Sequence, residues 1–158
     1  MKQIVFHLLT ASLIALAAGP SLAADTAAPP TEAAGPLKNA RALIAEKKWA
    51  AAIEELKRVD DRASADWNNL MGYSLRKGKT PDYAGAEKYY EAALRIDPKH
   101  RGALEYSGEL YLMTNNLRQA EQRLAALDKA CTFGCPEYTD LKKAVQRYKA
   151  NGNQYVAE

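Results

Sequence analysis

The residues of this chain best suited to chemistry are Cys131 and Cys135, which flank Thr132, Phe133 and Gly134. Two thiols four positions apart can close a disulfide, cycle as a redox pair, or contribute to a thiolate metal site. An oxidising compartment favours the disulfide, and Gly134 supplies the backbone freedom that so small a ring needs. A redox pair usually has two residues between its cysteines, beside a βαβ pattern, and neither feature is present. A metal site lacks further ligands, because only His7 and His100 could add imidazoles and His7 lies in an N-terminal apolar run. His100 follows Asp97-Pro98-Lys99 and reads as a solvated surface residue. No glycine-flanked nucleophile turn accompanies it, so no serine–histidine site forms. The pairs Glu54-Glu55 and Asp60-Asp61 are adjacent in sequence and point apart on a helix, which makes no acid/base couple. The chemistry of the side chains therefore points away from an enzyme and from any bound cofactor.

The elements that must position these residues begin after an address. Met1-Lys2 gives a positive charge, Ile4 to Ala18 an apolar run, and Ser21-Leu22-Ala23 small residues before a cut. This order is that of a secretory signal peptide over 1–23. The run is shorter than a membrane span and holds His7 and Thr10, so no stable membrane insertion is expected after cleavage behind Ala23. The expected location is periplasmic or secreted. Residues 24–35 contain Pro29-Pro30 and nothing large to bury, which reads as a flexible linker. The chain of 158 residues has 22 Lys and Arg against 19 Asp and Glu, a net charge of +3. That balance is too weak to argue for nucleic acid as a ligand.

The remainder repeats. Trp49, Tyr83 and Leu117 stand at a spacing of 34. Ala52, Ala86 and Ala120 share that spacing, as do Leu56, Tyr90 and Leu124, and Val59, Ala93 and Leu127. Steps of three and four within each set place its four residues on one helical face. Three copies of one helix at a fixed period signal a stacked array. Upstream of each copy a companion helix carries Ala40 with Leu43, Gly72 with Leu75, and Gly108 with Tyr111. A glycine in mid-helix costs about 1 kcal/mol against alanine, which close approach of the second helix, at its alanine, would offset. Helices are expected near 36–46, 49–59, 64–78, 82–96, 100–114, 117–130 and 136–150. Thr80 is expected to cap the fourth, with Pro81 at its first position. Asn115-Asn116 supplies residues that tolerate left-handed backbone at the third turn. The last helix buries Leu141, Ala144, Val145 and Tyr148 and turns its basic residues outward, as a cap on the array.

These residues resemble the tetratricopeptide repeat family, whose 34-residue unit has small and large marks in its first helix, an alanine and an aromatic in its second, and a proline after it. The second unit carries Met71-Gly72, Leu75, Ala86, Tyr90 and Ile96-Asp97-Pro98, and the third Gly108, Tyr111, Ala120 and Leu124. The family's tryptophan place is filled by Pro36, Asn68 and Leu104, and two extra residues fall near Gly78-Lys79-Thr80. The implied fold is an all-α superhelix of three helix hairpins plus a C-terminal capping helix. Its domain covers 36–150, with repeats near 34–63, 64–98 and 99–130, the cap at 136–150 and a tail at 151–158. The resemblance implies protein–protein interaction, with the first helices lining a concave groove. Residues out of phase with the core marks are then the expected groove: Leu37, Arg41, Ile44 and Ala45, then Asn69, Tyr73, Arg76 and Lys77, then Glu105, Glu109, Leu112 and Met113. Arg41, Arg76 and Lys77 would make one end basic, and Glu105 and Glu109 the other acidic. The expected ligand is a segment of a partner protein oriented by those charges. Thiol–disulfide or metal handling through Cys131 and Cys135 is the alternative, and binding of an envelope polymer through Asn69 and Tyr73 a further one.

Overall fold

Ser64, Asp82, His100 and Asn116 each begin a helix by accepting a backbone N–H three residues on, from Trp67 at 3.2 Å, Gly85 at 2.8 Å, Ala103 at 3.0 Å and Gln119 at 3.3 Å. Such caps satisfy donors that the first turn leaves open. The computed structural model describes residues 35–155, and in these there are seven helices and no strand. They are α1 (Lys38–Ala45), α2 (Trp49–Val59), α3 (Ala65–Lys77), α4 (Tyr83–Ile96), α5 (Arg101–Met113), α6 (Leu117–Ala130) and α7 (Pro136–Ala150). The signal and most of the linker expected over 1–35 lie outside the described residues. None of the described helices is long and apolar enough to cross a membrane.

The turns inside the hairpins follow the repeat. Lys47 and Asn115 occupy equivalent positions and both take a left-handed backbone, with φ of 56° and 58°. Each closes its turn the same way, Lys48 N–H donating to Leu43 O at 2.8 Å and Asn116 N–H to Tyr111 O at 2.7 Å. This is the six-to-one closure that ends many helices. The same register places Pro81 in the second unit, and proline cannot reach positive φ. Two extra residues resolve the conflict, and Asp82 N–H donates to Leu75 O at 3.1 Å across the longer loop. The cap of α4 is consequently Asp82, not Thr80, and Pro81 stays outside the helix.

Ala52, Ala86 and Ala120 are all fully buried, as equivalent positions of one repeat should be. Gly72 does face Ala86 as expected, whereas Gly108 meets a helix from beyond its own hairpin. A Cβ on Gly72 would stand 2.9 Å from the Tyr90 ring and 3.0 Å from the Ala86 carbonyl oxygen. One on Gly108 would stand 2.5 Å from a Leu141 methyl of α7. Glycine therefore admits an aromatic ring within the second hairpin and the docking helix at the third. Gly72→Ala is expected to destabilise the fold by about 1–2 kcal/mol, because overpacking against buried ring and backbone exceeds the gain in helix propensity. Urea unfolding checks this, and a stabilised variant would show that α3 and α4 can separate at little cost.

Trp67, next to the family's tryptophan place, is buried and donates its indole N–H to Leu56 O at 2.7 Å. It centres a core cluster with Leu37, Ala40, Leu56, Leu70 and Met71, while Tyr90, Leu104, Leu112, Leu127 and Leu141 belong to a second. Half-buried Leu75 packs against both. Cys131 and Cys135 are joined in a disulfide between the end of α6 and the start of α7. Gly134 there takes φ of +83°, and Phe133 is fully exposed at the tip.

Candidate functional site

The helices form two unequal layers. The backbone of α3 packs close to both α1 and α5, and that of α5 to α7. The backbones of α2 and α4, and of α4 and α6, stay farther apart, with Arg123 of α6 reaching Glu91 of α4 through its side chain. A layer that is continuous on one side and open on the other curves toward the continuous side, so α1, α3, α5 and α7 line the inner face.

Three aromatic rings meet here, Tyr73 of α3 and Tyr106 of α5 on this face and Trp49 reaching in from the start of α2. Trp49 meets Tyr73 edge-on with centroids 5.8 Å apart, and Tyr73 meets Tyr106 at 4.6 Å. All three are half-buried, so each keeps some surface for a ligand. Arg76 stacks with its guanidinium carbon 5.4 Å from the Tyr73 ring centre and 5.5 Å from that of Tyr106. Its Nη1 donates to Glu109 Oε2 at 2.6 Å and lies 3.8 Å from Met113 Sδ. Burial opposes the charge of Arg76, but the Tyr90 hydroxyl and Glu109 beside it hold its pKa above the ordinary value. Burial and the Glu105 carboxylate push the Tyr106 hydroxyl up to about 12.

The expected groove residues separate into three groups. Arg41 and Lys77 are exposed, Ile44, Tyr73, Glu109 and Met113 half-buried, and all six have surface to offer. Leu37 and Leu112 are corrected: Leu37 sits in the cluster around Trp67, and Leu112 is fully buried in the other. The inner layer packs so closely on its neighbours that out-of-phase positions on α1 and α5 also become core. Asn69, Arg76 and Glu105 are polar and more than nine-tenths buried. The expected separation of charge is corrected as well, because Arg76 and Glu109, assigned to opposite ends, form one ion pair. Arg41 is likewise held, to Asp66 at 2.7 Å. His100 is also no solvated residue: its Nδ1 accepts the Ala103 N–H, so Nε2 carries the proton and donates to Asp66 Oδ1 at 2.8 Å.

Two recesses open along α5 and α7, the larger reaching the end of α3 and the start of α4. One of about 230 Å³ is lined by Arg76, Lys77, Tyr83, Glu109, Met113 and Arg147 among others. The other, about 180 Å³, is lined by Glu105, Glu109, Asp140, Lys143 and Arg147. Sequence reasoning missed Trp49, taken as a repeat mark, together with Tyr106 and the acids of α7. Tyr106 precedes Glu109 by three positions on one helix, a spacing that places the two on a shared face and could have flagged it.

An all-helical array with a curved, aromatic inner face is the architecture of tetratricopeptide-like proteins. A family model described as tetratricopeptide repeat matches residues 81–150. That match runs through α7, the helix expected only to cap. The chain is 32% identical over 108 residues to the BBSome complex member BBS4 of Bos taurus, which covers 65% of this chain and 20% of that protein. It thus spans about a fifth of that relative's length. Among solved structures it is similar to the CopN-Scc3 complex, with a TM-score of 0.57 at 19% identity over 72% of this chain and 66% of the other.

Proposed function

We propose that this protein is an exported, non-enzymatic adaptor whose inner face, from Trp49 across Tyr73 and Tyr106 to α7, holds an extended segment of a partner protein. The observation that carries the reading is the ladder of half-buried rings, contiguous over three hairpins and backed by the Arg76–Glu109 pair. Aromatic side chains with little rotamer freedom to lose are the usual anchors of protein interfaces. The fold likeness supports this, since both named neighbours are described as parts of complexes. The N-terminal pattern supports export to the periplasm or beyond, and the Cys131–Cys135 disulfide suits that compartment while tying α7 into the inner layer.

A photo-crosslinking residue at exposed Lys77 on the inner face, compared with one at exposed Lys88 on α4, tests the reading in the native compartment. Position 77 should trap a discrete protein that position 88 does not, and Tyr73→Ala should weaken its binding about tenfold or more. Trapping from position 88 alone would move the working surface to the outer layer.

A further inference from the structure

Glu105 is the odd member of the inner face. It is 8% exposed and its carboxyl group reaches the smaller recess between α5 and α7. Buried carboxylates are ordinarily satisfied by hydrogen bonds or ion pairs, and Glu105 makes neither among the described residues. Its neighbours have partners. Glu109 accepts from Arg76, and Asp140 lies 3.9 Å from Lys143 Nζ. Glu137 lies 3.9 Å from Arg101 Nε but leaves its Oε2 buried without a hydrogen bond. Within this recess Glu105 thus lacks a donor, although Lys143 and Arg147 stand in its wall, and Glu137 adds a second unpaired oxygen outside its lining.

Resting on the groove reading above, we propose that this recess receives a basic side chain, lysine or arginine, of the bound segment, with the Glu105 carboxylate as its acceptor. Among the described residues no three His, Cys, Asp or Glu side chains converge as a metal set, which favours an organic cation over a metal ion. Either side chain brings several N–H donors on a long apolar stem, and the stem can lie along the Tyr73 and Tyr106 rings.

Burial pushes Glu105 up to about 8, and Glu109, Asp140 and Glu137 add to the shift while Arg76 opposes it. The groups facing it are Arg76 from α3, Tyr106 and Glu109 from α5, and Glu137, Asp140, Lys143 and Arg147 from α7. At neutral pH the free protein therefore holds Glu105 largely protonated. Docking a cation favours the ionised form, and the displaced proton leaves to solvent. Binding should accordingly strengthen as pH rises toward 8.

The experiment is a positional-scanning library of blocked nonapeptides, N-acetylated and C-amidated, bound to the full chain and to Glu105→Gln at pH 8.5 and 6.5. The expected result is selection of Lys or Arg at one position, at least tenfold over norleucine at pH 8.5 and several-fold weaker at pH 6.5. Glu105→Gln should retain the peptides but lose the preference. Retained peptides with no basic preference, or a preference that survives in Glu105→Gln, would overturn this subsite and leave the groove standing. No peptide retained by the wild-type chain would sink the groove reading and the subsite with it. A readout without mutation guards against a variant that misfolds. The Glu105 Cδ resonance should titrate more than one pH unit lower when the selected peptide is bound, and an unchanged midpoint would overturn the proposal.

Discussion

Arg76→Ala is expected to cost about 3 kcal/mol of folding stability, measured by urea unfolding at pH 7. Arg76 is 3% exposed, paired with Glu109 at 2.6 Å and stacked on Tyr73 and Tyr106. Removing it leaves the Glu109 carboxylate near buried Glu105 without its hydrogen-bonded partner, and such a stranded charge is worth more than the pair itself. The partner change separates the two effects. Arg76→Met with Glu109→Gln should recover most of the loss, since no unpaired charge remains and the methionine refills the space between the rings. A loss below about 1 kcal/mol in the single variant would mean that water screens the pair as it does a surface bridge. Charge reversal at Arg76 would consequently report on folding before it reported on any ligand.

That shift in meaning marks where the sequence stops being legible. Period and face are local properties, so Ala52, Ala86 and Ala120 announce the buried side of every second helix, and the seven helices follow within a few residues. The turn chemistry is nearly as local: Asn115 and Lys47 adopt the same left-handed backbone, and only the proline at the middle unit forces a longer loop. What faces a helix from the next hairpin is not local. Gly108 reads like Gly72, yet it makes room for Leu141 of α7, whereas Gly72 admits Tyr90 of its own unit. Arg76 and Glu109 stand 33 positions apart and look like opposite ends of a groove until the hairpins stack and bring them into contact. Leu112 looks free by phase and is buried because α5 is covered on more than one side. Polar residues on an inner layer are thus ambiguous in sequence, being either ligand contacts or struts, and burial decides between them.

Glu105 carries the largest pH-dependent effect. An ordinary glutamate titrates near 4.5 and this one at about 8. A native pKa raised above the unfolded one means that the folded chain holds a proton the unfolded chain releases between those values. The contribution of Glu105 is therefore fully present below about pH 4.5 and is lost as pH rises through about 8. Glu105→Gln removes the titration while keeping a similar shape. Measured against the wild type, its stability should be equal within error at pH 4.5 and greater by about 3 kcal/mol at pH 8.5, with the rise confined to the interval between. The remaining carboxylates titrate in both chains, so the difference isolates this one group. Urea unfolding at half-unit steps of pH reads it directly. A difference that stays flat would show that water reaches the carboxyl group and keeps it ionised. The same carboxyl cannot serve the fold well at high pH and also stand ready for a cation, because the desolvation that destabilises its charge is what an incoming ammonium or guanidinium relieves.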